Sequence, residues 1–199
     1  ESTRPQHLPR LALAQGIPAQ HRVMVAMPVM LTDAASVDAL LHRLQLHHLA
    51  NPEPHAQFAL RSDWADADSA RVASDDALLQ CARQGIRALN ARHPQAHGEA
   101  PRFVLLHRER VFSESEQCWI GWERKRGKLE ALVARLAKAD PGPFLDLGED
   151  SRIAAGTAYV LTLDSDTQLP PGRLRELVGV AAHPLNRPRL DAAARRVVG

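Results

Sequence analysis

The chain has 199 residues, with 25 Lys and Arg against 23 Asp and Glu, a formal net charge of +2. That balance excludes a strongly charged tail protein and a nucleic-acid binder that works through bulk positive charge. A hydrophobic share of 45% beside 24% charged residues is that of a folded globular domain and excludes a disordered segment. Two cysteines, Cys81 and Cys118, are too few for a disulfide framework and form no C-x-x-C pair, which points to a reducing compartment. No apolar run nears the roughly 20 residues that cross a bilayer, and no signal peptide opens the chain, so a soluble piece is expected. Its start at Glu1-Ser2-Thr3 without a Met, and its end just after an expected helix, suggest an excised part of a longer protein.

The first structural run is Val23 to Met27, almost wholly apolar and suited to a strand covered on both faces. Pro28 cannot donate to a ladder, so pairing is expected to end or bulge there. Thr32 and Asp33 supply N-cap chemistry for a helix from Ala34 to about Leu49, with Val37, Leu40, Leu41 and Leu44 at helical spacing. Asn51-Pro52-Glu53-Pro54 stops it. Phe58-Ala59-Leu60 reads as a second strand that gives way to a polar, acidic loop, Arg61 to Asp68. Ser74 or Asp75 caps a second helix carrying Leu78, Leu79, Ala82, Ile86 and Leu89 and ending near His93-Pro94. Arg102 to His107 reads as a third strand, and Ser113-Glu114-Ser115-Glu116 as a solvated turn. A third helix runs from Trp122 to Lys138 with Leu129, Leu132, Val133 and Leu136 inward. Pro141-Gly142-Pro143 begins a loop, Tyr159 to Leu163 forms a fourth strand, and Pro170-Pro171-Gly172 leads into a helix reaching about Ala182.

Strands alternating with helices imply an α/β fold, a mainly parallel sheet with helices on both faces. Ligands in such sheets bind outside the C-terminal strand ends, which selects residues 28–33, 63–68, 107–110 and 164–167.

The strongest single feature is Asp164-Ser165-Asp166, two carboxylates one residue apart where a buried strand emerges. A hard divalent cation needs clustered carboxylates and keeps water or phosphate oxygens in its other positions, although Asp, Ser and Thr also make ordinary turns. Asp63, at another expected strand end, could accept from a nucleobase imide or a ribose hydroxyl, or could belong to an acidic surface loop with Asp66. Arg124, Lys125, Arg126 and Lys128 crowd the start of the third helix and oppose its macrodipole, which local stability does not explain and diphosphate binding would. Gly127 interrupts that run where a backbone could approach a ligand closely. His42, His47 and His48 share one helix, but a surface or partly buried role suits them better than metal binding. Trp64, Trp119 and Trp122 could stack on a sugar or simply pack. No Walker loop, Gly-x-Ser-x-Gly elbow or Gly-x-Gly-x-x-Gly fingerprint occurs.

Taken together, Val25-Ala26-Met27-Pro28-Val29-Met30, Leu60-Arg61-Ser62-Asp63-Trp64, Trp122-Glu123-Arg124-Lys125-Arg126-Gly127-Lys128, Leu163-Asp164-Ser165-Asp166-Thr167 and Ala182-His183-Pro184-Leu185-Asn186 resemble the glycosyltransferase domain of cyclic β-1,2-glucan synthases. The resemblance covers residues 16–190, and the basic string is more specific than Asp-x-Asp. It implies a Rossmann-like A-type transferase fold, incomplete here: an extension over 1–21, the donor-binding part over 22–190 and a tail over 191–199. It implies inverting transfer of glucose from UDP-glucose to a growing β-1,2-glucan, with Mg²⁺ or Mn²⁺ held by Asp164 and Asp166. Donor contacts would come from Pro28, Asp63, Asp66, Arg124, Lys125, Gly127, Lys128 and Asp164, with no role for nucleic acid. The general base would lie beyond residue 199, within a large parent protein whose transferase faces the cytoplasm at the bacterial inner membrane. The alternative is a nucleotide-sugar binding module, or a piece inactive in isolation.

Overall fold

The structure is a computed structural model and describes residues 8–121, 125–138, 142–191, 193 and 196–198. Its centre is a four-stranded sheet in the order β3-β2-β1-β6, built from β1 (Val23–Leu31), β2 (Ala56–Trp64), β3 (Phe103–Arg108) and β6 (Tyr159–Thr162). Every pairing in it is parallel, so the α/β expectation is borne out. Helices α1 (Ala34–Ala50), α2 (Asp75–Arg92) and α4 (Arg173–Ala182) join one core with Val25, Met27, Phe58, Leu60, Phe103 and Leu105. Helix α3 (Lys125–Lys138) joins the other, against Met24, Ala26, Ala59, Val104 and Leu106. Apolar side chains therefore leave both sheet faces, which is why the strands read as apolar runs and not as alternating patterns.

Several expectations need correction. β1 does not end at Pro28 but runs on to Leu31. The Leu163 amide donates to the Ala26 carbonyl, so even-numbered β1 residues turn their backbone groups toward β6. β6 pairs only as far as Ala26, which leaves Pro28 facing the open side of the ladder, where it has no amide to satisfy. The segment Arg61-Ser62-Asp63-Trp64 is buried strand and not acidic loop. Several of its polar groups pair internally: Arg61 and Arg108 reach Asp63, and Ser62 Oγ lies 2.8 Å from His107 Nδ1. Ser74 makes no side-chain cap on α2; Asp75 instead accepts from the Val72 amide at 2.8 Å and from Arg110.

Residues 110–121 form an antiparallel hairpin, β4 (Arg110–Ser113) with β5 (Cys118–Gly121), whose turn is the expected solvated segment. Trp119 exchanges two backbone bonds with Ala67, both 2.9 Å, which ties the hairpin to the loop after β2. The inward face of α3 carries Leu132 and, partly buried, Leu136, but Val133 is 55% exposed. Residues 122–124, where that helix was expected to start, lie outside the description. Residues 11–17 pack on the fold: the Leu11 amide donates to Gly179 O, and buried Ile17 donates to Glu53 at 2.8 Å. A second hairpin, β7 (Arg189–Asp191) with β8 (Arg196–Val198), closes the described chain.

Candidate nucleotide-binding cleft

The chain winds outward from β1 through β2 to β3, then returns to place β6 on the opposite side of β1. Neighbouring strands therefore send their following segments to opposite sides, and a crevice opens at their C-terminal ends. A cleft of about 700 Å³ lies there, lined by Pro28, Val29, Met30, Asp63, Trp64, Asp66, Gly121 and residues 164–166. Pro28, Asp63, Asp66, Asp164 and Asp166 were all selected from the sequence and converge on this one cavity. Val29, Met30, Trp64, Gly121 and Ser165 join them without a sequence signal of comparable strength. Arg124 lies outside the described residues, and Lys125, Gly127 and Lys128 open α3 in a stretch whose side chains are also outside the description.

The carboxylates occupy different environments. Asp63 is 1% exposed, and its Oδ1 accepts from Arg108 Nε at 2.6 Å. Arg61 Nη2 reaches Oδ2 at 3.3 Å, and both guanidiniums are as buried as the carboxylate. Burial pushes Arg61 down to about 10, with Asp63 opposing, so it stays cationic at neutral pH. Strand geometry explains the cluster: Arg61 and Asp63 are two residues apart on one face of β2, and Arg108 is the register neighbour of Asp63 on β3. On the other face, His107 is fully buried, 4.3 Å from the Trp64 ring between centroids, and burial lowers it to about 4. Trp64 Nε1 donates to Glu109 and its ring lies under Arg110, so it is a packed wall residue. Asp164 and Asp166, in contrast, are exposed on the turn after β6, which the Thr167 amide closes onto Asp164 O at 2.9 Å.

Asp164 and Asp166 are a hard-oxygen pair open to the cleft, a donor set that fits Mg²⁺ or Mn²⁺ completed by water and ligand oxygens. Among the described residues no group of three or more His, Cys, Asp or Glu side chains could hold a metal by itself.

Comparison with known proteins bears on what such a cleft serves. The chain matches a segment of a cyclic β-(1,2)-glucan synthase. It is 40% identical over 195 residues, 98% of its length, to the cyclic beta-(1,2)-glucan synthase NdvB of Rhizobium meliloti (strain 1021). It spans 7% of that protein, so NdvB is far larger than the matched segment. The resemblance read from the motifs is thereby borne out. No family model matches the chain. Among the described residues, no helix is long and apolar enough to cross a membrane.

Proposed function

We propose that this chain is the donor-binding part of a glucosyltransferase that takes glucose from UDP-glucose, with inversion, to a growing β-1,2-glucan. The observation that carries the reading is convergence. Residues from the ends of β1, β2 and β6, as far apart in sequence as Pro28 and Asp166, line one crevice at the point where the strand order reverses. The name of NdvB supports the glucan product and a larger parent protein.

In this reading Asp63 accepts from the uracil imide, with Pro28 and Asp66 beside the nucleoside, while Asp164 and Asp166 hold Mg²⁺ or Mn²⁺ next to the diphosphate. Bound there, the ion supplies neutralisation of charge on the departing diphosphate. Chain connectivity supports a role for the basic string: Lys125 follows cleft-lining Gly121 by four residues, a reach of at most roughly 14 Å. The Arg124, Lys125 and Lys128 side chains then serve as diphosphate donors, and Gly127 allows close backbone approach. An acceptor hydroxyl must lose its proton for inversion, and that base is a separate group from these donor contacts. We place the transferase on the cytoplasmic face of the bacterial inner membrane as part of its parent protein.

Calorimetric titration of UDP with and without Mn²⁺, on the chain and on Asp166→Ala, tests the reading. Expected is UDP binding that Mn²⁺ strengthens by about tenfold or more, a gain that the variant loses. Binding that ignores both metal and mutation would contradict it.

A further inference from the structure

We propose that Arg108 and Gly121 are positioning residues for Asp63 and, through it, set the preference of the cleft for a nucleobase that donates an N–H. The inference rests on the nucleotide reading above and adds the groups that make its base-reading carboxylate selective.

Two independent features hold Asp63 in place. From below, Arg108 Nε donates to Oδ1 at 2.6 Å across the β2–β3 ladder, with Arg61 on the same carboxylate. From the side, β5 passes so closely that a Cβ at Gly121 would stand 3.0 Å from Asp63 Cβ and 3.0 Å from Trp64 O. Gly121 therefore answers a need for space. The hairpin that carries it is pinned to the loop after β2 by the Trp119–Ala67 pair, so it cannot easily yield.

Stability alone does not account for this arrangement. Among the described residues, Arg61 Nε and Nη1 are buried without a hydrogen-bond partner, and a buried ion cluster with unmet donors is poorer than an apolar packing of the same volume. What the cluster does supply is a carboxylate that points one way and can only accept. Uracil presents an N–H to such a group, whereas cytosine presents a ring nitrogen lone pair at the same position and meets repulsion. A site built around a hydrogen bond rejects an analogue lacking the donor far more strongly than shape alone allows.

The test is titration of UDP and CDP in the presence of Mn²⁺ against the chain, Arg108→Lys and Gly121→Ala, with circular dichroism confirming that each is folded. Arg108→Lys keeps the charge but loses the fixed fork, and Gly121→Ala perturbs the same carboxylate from the other side should the first variant fail to fold. The unaltered chain is expected to prefer UDP over CDP by about tenfold or more. Each variant should lose about tenfold in UDP affinity while CDP moves by less than about twofold, so the preference collapses. Equal losses for both nucleotides, or an unchanged ratio, would show a merely structural role and overturn the inference. An unaltered chain that binds neither nucleotide would overturn the nucleotide reading, and this inference with it.

Discussion

The two walls of the cleft carry carboxylates of opposite character. On the β2 wall, Asp63 is withdrawn from solvent between two buried guanidiniums and abutted by Gly121. On the β6 wall, Asp164 and Asp166 stand exposed on a short turn. A ligand group that must be recognised by shape and hydrogen-bond direction needs the first kind. A cation that must exchange water and accommodate a moving diphosphate needs the second. In the proposed function, one cleft thus separates recognition from charge handling.

The contrast breaks most visibly in stability. Arg108→Leu removes the shorter of the two ion pairs on buried Asp63 and leaves Arg61 on that carboxylate, and should cost about 3 kcal/mol in urea unfolding. Loss of less than about 1 kcal/mol would show that the cluster is not paired as described.

Acid should act on the β2 side next. Burial pushes both His107 and His48 down to about 4 in the folded chain, below the usual 6.5. Between pH 6.5 and 4 the unfolded chain therefore binds more protons, so stability is intact above that window and falls as pH drops through it. The loss from pH 6.5 to 5 should be on the order of 3 kcal/mol for the pair, seen as a falling unfolding midpoint. A flat midpoint across that window would contradict their neutral burial.

A smaller effect is expected at the entry to α1, just beyond the cleft end of β1. There the Asp33 carboxylate accepts from the Ser36 amide at 2.9 Å and is held below the usual carboxylate range chiefly by the Ser36 hydroxyl. Asp33→Ala should lower the urea unfolding midpoint modestly through loss of the cap, and an unchanged midpoint would contradict it. Smallest of all, Asp166→Ala should shift stability by no more than about 0.5 kcal/mol, because it removes an exposed turn side chain. A large destabilisation there would make the β6 wall structural, and the contrast between the walls would disappear.

Much of this was legible in the sequence because two signals agreed. Apolar runs located every strand of the main sheet, and the strand-end rule then selected Pro28, Asp63, Asp66, Asp164 and Asp166 for the same place. What stayed hidden was long-range pairing. Arg61 to Trp64 looks like a loop until Arg108 and His107 arrive from β3 to satisfy it. The clue was present as two charged residues at alternate positions, Arg61 and Asp63, but their partner lies 45 residues from Asp63. Pro28 misleads in the same way, since only the early departure of β6 makes it harmless inside β1. The 110–121 hairpin escaped because neither strand has an apolar alternation, and its fixed points, Ala67 and Asp63, belong to β2 and the loop beyond it.

The division of labour between the walls is tested most directly by comparing uridine with UDP, each titrated with and without Mn²⁺. The account predicts that Mn²⁺ strengthens UDP binding by about tenfold or more and leaves uridine, which carries no phosphate, unchanged. Equal responses of the two ligands to Mn²⁺, or none from either, would contradict it.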